Sequence, residues 1–401
     1  MDRTRAVVVG GGIGGLTAAV ALRRRGWAVT VLERADALTP VGAALSVTPN
    51  AQRALDVVGL GDQVRDLSAW QGDGGLRTPG GRWLSRTNSR AATERFGGPV
   101  VLLHRATLVD ILTSALPPDA VRTGVDGALR DPGGPDRAAV VGTPDGDIEA
   151  DLVVGADGVR SGVRGVLFPG HPGPRHSGLT TWRVVVPSPD RPFAPHETWG
   201  RGALWGSQPL KDGRVYAYAM APAPEGDRAP EGEKAELLRR FGDWHHPVPG
   251  IIAAAYDDGV LRYDVHHMVV PLPAHHAGRV ALLGDAAHAM LPTLGQGGNQ
   301  AVEDAVVLAH HVGHAGDGTD LAAGLAAYTE ARLPRTSALV QRSARTGRMT
   351  SLRNPVAVAA RNTLIAAVSL LGPGVPLRGF ADVAEWRPPQ RPYAAQKRSG
   401  A

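Results

Sequence analysis

Arg5-Ala6-Val7-Val8-Val9-Gly10-Gly11-Gly12-Ile13-Gly14-Gly15 is the stretch on which the fold turns. A β-branched run of strand character ends in glycines, and the residues beyond them read as a helix through Arg25 that stops at Gly26. Ala28 to Leu32 predicts a second strand, with Glu33 at its end and Arg34 beside it. Strand, loop, helix, strand and acid stand in the register of a βαβ unit that binds a dinucleotide. Gly10 permits the tight turn, Gly12 lets the backbone approach a pyrophosphate, and Gly15 lets helix and strand pack closely. Glu33, about 20 residues beyond the loop, sits where an acid takes the ribose hydroxyls of an adenosine. An acid there disfavours a 2′-phosphate, so the tightly held nucleotide is expected to be FAD or NAD rather than NADP. Arg23, Arg24 and Arg25 read as charges that complement the helix dipole.

A second ligand-facing segment lies far along the chain. Val280 to Leu283 is a short apolar run ending in Gly284-Asp285, which predicts a buried strand whose tip offers one carboxylate. After Pro292, Gly295-Gln296-Gly297-Gly298-Asn299 precede a helix with apolar Ala301, Val302, Ala305, Val306 and Leu308. A glycine-rich helix N-terminus of this kind receives an anion or an electron-rich ligand edge, and is equally the form of an ordinary crossover. A third segment, expected to be one strand from Ile148 to Val154, runs into Gly155-Ala156-Asp157-Gly158. Arg160 and Arg164 would share a face if a helix began there.

Pro40 to Asn50, which includes Ala44, reads either as a mobile loop beside a ring system or as a turn into the helix Ala51 to Val58. Val100 to Leu103 predicts a strand ending in His104-Arg105, and Arg105 reads as a phosphate or ribose contact or as a surface ion pair. From His171 to Pro273 alternating runs at Thr180 to Val186, Leu204 to Ser207 and Arg214 to Met220 indicate an inserted antiparallel sheet, with a helix confined to about Glu233 to Phe241. Tyr216 and Tyr218 share a strand face, with Trp182, Arg183, Trp199 and Trp205 on neighbouring strands. These aromatics read as core or as the roof of an aromatic-substrate pocket in which Arg183 anchors an anion.

Composition narrows the class. The chain has 401 residues, 43% hydrophobic and 20% charged, as in ordinary globular proteins. Its net charge of +5 comes from scattered arginines without a basic run, so nucleic acid is not an expected partner. The chain has no cysteine, and its histidine pairs lack metal-ligand spacing, so no metal site is expected. Thr363 to Leu371 falls short of the roughly 20 residues that span a bilayer. With no signal-peptide core at its start, the chain is expected to be soluble and cytoplasmic.

Taken together, Gly10 to Gly15 with Glu33, the Gly155-Ala156-Asp157-Gly158 turn, and Gly284-Asp285 with Gly295 to Asn299 resemble the single-component aromatic-ring hydroxylases of the p-hydroxybenzoate hydroxylase type. The resemblance runs over nearly the whole chain. It implies an α/β fold: a Rossmann-like FAD-binding domain from residues 1–70, 100–168 and 276–350, an inserted antiparallel-sheet substrate domain from 71–99 and 169–275, and a helical or irregular C-terminal tail from 351–401. It implies FAD as the resident cofactor, with NADPH or NADH as a visiting reductant; no second glycine fingerprint is present. By that resemblance Glu33 binds the adenosine ribose, Arg105 and Asp285 the ribityl–pyrophosphate region, and Gly295, Gly297, Gly298 and Asn299 the flavin ring. Asp157 belongs to a dual FAD/NAD(P)H motif, with a partly structural role. The implied chemistry is reduction of FAD, formation of a C4a-hydroperoxide with O₂, and transfer of one oxygen atom to a small aromatic or heteroaromatic substrate. The hydroxybenzoate, salicylate and urate hydroxylases are the most similar branch. His288 and Gln296 are candidates near the flavin edge, and Tyr216 and Arg183 candidates for substrate contact. Competing readings are an epoxidase or flavin dehydrogenase acting on a natural-product intermediate, and a non-catalytic flavin sensor. A halogenase would carry a W-x-W-x-I-P segment, which is not found. A monomer or homodimer is expected.

Overall fold

The computed structural model describes residues 4–38, 44–68, 73–372 and 380–389. The chain begins with β1 (Arg5–Val9), α1 (Ile13–Arg23) and β2 (Ala28–Leu32), with Gly26 closing the helix at φ +85°. Next come β3 (Ala44–Val47), α2 (Pro49–Val57), α3 (Gly61–Arg65), β4 (Asp73–Arg77), β5 (Trp83–Asn88), α4 (Ser89–Phe96), β6 (Val101–His104) and α5 (Arg105–Ser114). They are followed by β7 (Val121–Arg122), β8 (Ala128–Asp131), β9 (Ala139–Thr143), β10 (Gly146–Ala150), β11 (Leu152–Gly155) and α6 (Gly162–Leu167). The long central portion holds β12 (Arg175–Pro187), β13 (His196–Trp199), β14 (Leu204–Pro209), β15 (Arg214–Pro222), α7 (Glu233–Phe241), α8 (Val248–Ala254) and β16 (Leu261–His267). The chain then returns through β17 (His276–Ala277), β18 (Val280–Leu282), α9 (Asp285–His288), α10 (Gly297–His311), α11 (Leu321–Thr350), α12 (Pro355–Leu370) and α13 (Ala381–Ala384).

Two large sheets organise these elements. The first has the order β17-β18-β11-β1-β2-β7, parallel except at its β17 edge. Its strands are apolar on both faces because both are covered, as a parallel sheet requires. On one side α1, α10, α2 and α5 pack through Leu16, Val20, Leu55, Leu108 and Val306, all buried. On the other side Val7, Val153 and Leu282 meet Leu129 and Val141 of the three-stranded sheet β10-β9-β8. The second sheet has the order β16-β12-β15-β14-β13-β4-β5, antiparallel except where β4 lies parallel to β13.

The second sheet is two-faced, which follows from strict alternation along its strands. Trp182, Val184, Trp205, Val215, Ala217 and Ala219 point to one face and are buried beneath Leu237, Phe241, Ile251 and Ile252 of α7 and α8. Thr181, Arg183, Tyr216 and Tyr218 point to the other face, toward the first sheet. Among the described residues no helix is long and apolar enough to cross a membrane.

Several local expectations are revised. Residues 148–154 are not one strand: β10 ends at Ala150, and β11 starts at Leu152 in a different sheet. Of the segment read either as a mobile loop or as a turn into a helix, the described part Ala44–Val47 is a strand paired with β6; Pro40 to Ala43 lie outside the described residues. Helices α4 and α8 were not expected. Helix α6 begins only at Gly162, so Arg160 lies outside it and does not share a helical face with Arg164. Instead Arg164 turns inward and donates to the carbonyls of Ala286 and Val159. The tail from 390 onward lies outside the described residues.

Candidate active site

The tip of β1 meets the tip of β11 at Gly10. Its φ is +110°, and a Cβ there would stand 2.4 Å from the Ala156 carbonyl oxygen, so no larger residue fits. A Cβ on Gly15 would stand 2.0 Å from the Gly10 oxygen, which shows how closely α1 is seated. Gly14 plays a similar part on the far side, where a Cβ would come 2.7 Å from Leu283. At Gly12 the space is open: the nearest atom to a Cβ is the Arg105 guanidinium at 3.7 Å. The first amide to bond back along α1 is that of Leu16, to Gly12, and no side chain caps the helix. The preceding N–H groups of its first turn therefore lack helical partners and line an open space, the arrangement that receives phosphate.

Glu33 at the end of β2 accepts from the Gly11 amide at 2.7 Å and from the Ala35 amide at 2.9 Å, which fixes the loop from beneath. Arg34 beside it is exposed. Arg105 is the first residue of α5 rather than the end of a strand, and it makes no ion pair among the described residues. A free guanidinium thus stands next to an open glycine cradle.

The second wall is built by β18 and α10. Asp285 starts α9 and opens onto the same space, as do Gly297 and Gly298 at the start of α10. Gly295 is in the left-handed conformation, φ +61°. Asn299 staples this loop to β3: it donates to the carbonyls of Ser46 and Gly295 and accepts from the Thr48 amide. Gln296 is held on every side, donating to Thr48 Oγ1 at 3.1 Å and accepting from Asn50 at 3.1 Å and Gln300 at 3.2 Å. Its amide is engaged in structure.

Behind that wall is a closed charge cluster. Arg332 from α11 lies 2.6 Å from both Glu303 and Asp304 of α10, and Arg335 lies 2.8 Å from Glu303. Burial alone would raise the Asp304 carboxyl, but His288 and Arg332 together hold it well below the ordinary carboxylate range. The Asp304 carboxylate also accepts from the Gly284 amide at 2.9 Å, so the cluster fixes the backbone that carries Asp285. His288, read from the sequence as lying near the flavin edge, belongs here: its Nε2 stands 2.5 Å from Asp304, and its ring is away from the main cavity.

The third wall is the polar face of the second sheet. Strand register places Arg183 opposite Tyr218, Tyr218 opposite Gly206, and Gly206 opposite Glu197, one row across four strands. The Tyr218 ring lies over Gly206, where a Cβ would stand 2.2 Å from it, and the hydroxyl donates to Glu197 at 2.8 Å. Trp199 Nε1 donates to the other Glu197 oxygen at 2.7 Å. Burial pushes the Glu197 carboxyl up from its ordinary value and raises the phenols of Tyr216 and Tyr218. Arg183 lies with its guanidinium 5.6 Å from the Tyr263 ring centroid and makes no ion pair among the described residues.

The three walls enclose one cavity of about 1100 Å³. That exceeds the roughly 300–1,000 Å³ of single small-molecule pockets. Gly12, Gly14, Ala44, Arg105 and Asp285 line it, as do Gly295 to Asn299, and Arg183 and Tyr216 line its far end. Gly10, Gly15, Glu33, Arg34 and Asp157 do not. Asp157 instead organises the start of α6, accepting from Ser161 Oγ at 2.5 Å and from the Val163 amide at 3.0 Å. Sequence reasoning did not select Glu197; the alternation of His196-Glu197-Thr198-Trp199, which puts an acid and an indole on one face, is the signal it left. The open cradle at Gly12, the free N–H groups of α1 and the unpaired Arg105 fit the pyrophosphate of FAD, with space beyond for a flavin and a second molecule.

Comparison with known proteins agrees with that geometry. The sequence profile of a family described as "FAD binding domain" matches residues 3–343. Aurachin C monooxygenase/isomerase from Stigmatella aurantiaca is 39% identical over 367 residues, covering 90% of this chain and 94% of that protein. The 3-amino-4-hydroxybenzoate 2-monooxygenase of Streptomyces cremeus is 36% identical over 358 residues, covering 85% of this chain and 86% of that one. Among solved structures, Klebsiella pneumoniae HpxO complexed with FAD and uric acid superposes with a TM-score of 0.85 at 28% identity, covering 95% of this chain and 96% of that one.

Proposed function

The chain belongs to the FAD binding domain family of aromatic monooxygenases, and from that premise we propose that its substrate is a small planar aromatic or heteroaromatic compound bound on the Arg183–Tyr216–Tyr218 face. The protein is an FAD-dependent monooxygenase of the family that uses NAD(P)H and O₂. When bound, reduced FAD would supply the electrons from NAD(P)H that activate O₂, one atom of which enters the substrate while the other leaves as water.

The N–H groups of the first turn of α1, with Gly12 and Arg105, take the pyrophosphate, and Glu33 with Arg34 stands at the adenosine end. Asp285 takes the ribityl region. The start of α10, Gly297 to Asn299, and Ala44, which line the same cavity, would hold the flavin ring. Residues 1–70, 100–168 and 276–350 then form the FAD-binding domain, and 71–99 with 169–275 the substrate domain. In support, the two large sheets share no strand.

Arg183 carries the substrate reading. Its guanidinium makes no ion pair among the described residues and lines a cavity that elsewhere fits a cofactor, and there it orients an anionic ring and favours the ionised form of a phenol. Tyr216 and Tyr218 give the ring flat apolar partners and keep water from the reacting edge. The names of the relatives support a polar planar ring, since aminohydroxybenzoate and uric acid are both of that kind. The test is a panel of aromatic acids and N-heterocycles screened for stimulated NAD(P)H oxidation, with peroxide measured alongside. Stimulation without matching peroxide by at least one anionic ring, abolished in Arg183→Leu, is expected. A panel response indifferent to Arg183 contradicts the assignment.

A further inference from the structure

The side chain of Glu197 is half-buried, opens onto the cavity, and has no cationic partner among the described residues. An enclosed carboxylate without a counter-charge depends on hydrogen-bond donors to replace its water. The fully buried acids of α10 and the part-buried Asp264 each have an arginine partner. Glu303 and Asp304 face Arg332, and Asp264 faces Arg262 at 2.9 Å. Among the described residues Glu197 has two neutral donors, the Tyr218 hydroxyl and the Trp199 indole, one on each oxygen. Each oxygen keeps a further acceptor site.

The row that holds Glu197 also fixes its distance from Arg183. Three strand-to-strand steps of about 4.8 Å separate the two backbones, about 14 Å in all, and the long Arg183 side chain shortens the gap between the functional groups. Between them lies the Tyr218 ring, laid flat across Gly206. A positive end, an aromatic platform and an acceptor end therefore stand in line on one face of one sheet.

We propose that Glu197 is a substrate-recognition residue that accepts a hydrogen bond from an N–H or O–H group on the substrate ring. The enzyme thereby selects rings with a donor at one end and an acidic or electron-rich acceptor at the other. The ring lies over Tyr218, with its acceptor edge toward Arg183 and its donor edge toward Glu197. This rests on the reading of the Arg183 face as the substrate site. It adds a requirement that Arg183 alone does not impose: an aromatic acid without a donor is held at one end only. A ring that fills the site without a donor leaves the remaining acceptor capacity of Glu197 unmet, which weakens its binding.

The experiment uses the FAD-loaded enzyme and reads binding from the perturbation of the flavin absorption spectrum, so it needs no turnover. The probes are 3-aminobenzoate and 3-methylbenzoate, which match in shape and carboxylate and differ in the donor. Wild type is expected to bind the amino compound about tenfold or more tightly than the methyl compound. In Glu197→Gln the ratio falls to near one. Trp199 can only donate, so it captures the amide oxygen and turns the amide NH₂ toward the tyrosine and the ligand. Tyr218→Phe keeps the carboxylate and the aromatic platform, and keeps the preference for the amino compound. The proposal is overturned by a wild type that does not distinguish the two probes, including one that binds neither. It is also overturned by a Glu197→Gln enzyme that retains the preference. Should that variant lose FAD, the wild-type pair and Tyr218→Phe decide. Discrimination by a wild type that never couples aromatic binding to NAD(P)H oxidation upholds Glu197 while refuting turnover at this face, so the two failures stay distinct.

Discussion

Arg332 and Asp304 meet at 2.6 Å between α11 and α10, both shut off from solvent. Asp304 in turn accepts from the Gly284 amide, so this pair sets the position of the strand tip that carries Asp285. Removing the guanidinium leaves the buried Asp304 without its arginine and Glu303 with Arg335 alone. Arg332→Leu is therefore expected to destabilise the fold by about 3–5 kcal/mol and to reduce FAD retention. Denaturant midpoint and flavin content of the purified variant measure both, and an unchanged midpoint refutes the role given to the cluster.

The seat of α1 depends on Gly10. A methyl group there meets the Ala156 carbonyl at 2.4 Å on a backbone with φ +110°. Gly10→Ala is expected to cost several kcal/mol in stability and to give protein purified without FAD. Gly80, around which a Cβ meets nothing within 4 Å, is the control, and Gly80→Ala is expected to stay within about 0.5 kcal/mol of wild type. Equal behaviour of the two variants contradicts the account of the loop.

Much of this is legible in the sequence. The βαβ unit is readable because its period, its glycines and Glu33 all point the same way over one continuous stretch, and β1 and β2 have the expected limits. Helix α7 is equally plain. The features that escape a local reading are decided by distant partners. Nothing local separates β10 from β11, since the break at Asp151 reflects two different sheets claiming the two halves. Ala44–Val47 is a strand because β6 pairs with it. His288 resembles a site residue because it comes soon after Asp285, yet a short helical turn points it back at Asp304. Glu197 escapes notice because its importance lies in what it lacks, a counter-ion, and only the packed sheet reveals that.

Stability should fall in mild acid. Burial lowers His196 to about 4 and His275 to about 3, against 6.5 for a free histidine. In the native state both are neutral where the unfolded chain already takes up protons. Their contribution is thus complete above about 6.5 and is lost as pH falls through the interval down to their native values, by up to ~1.4 kcal/mol per pH unit for each. Urea midpoints at pH 7.5 and pH 5 measure this. His275→Phe is expected to flatten the slope, and a wild-type profile that is level over this range refutes the attribution.

Arg105 offers a test of cofactor binding separate from folding, because its side chain is exposed and makes no ion pair among the described residues. Arg105→Ala should keep the unfolding midpoint and raise the FAD dissociation constant by about tenfold. The loss should shrink as salt is added, since an exposed charge contact is screened. Fluorescence titration of the apoprotein with FAD at two ionic strengths reads both. An FAD affinity unchanged by the substitution removes Arg105 from the pyrophosphate site.

The central claim is that one cavity holds FAD against an aromatic ring so that one atom of O₂ enters that ring. Turnover under ¹⁸O₂ with whichever aromatic compound best stimulates NAD(P)H oxidation tests it most directly. Mass spectrometry of the product is predicted to show one ¹⁸O atom per hydroxylation event. Product formed with steady turnover and no label would contradict it.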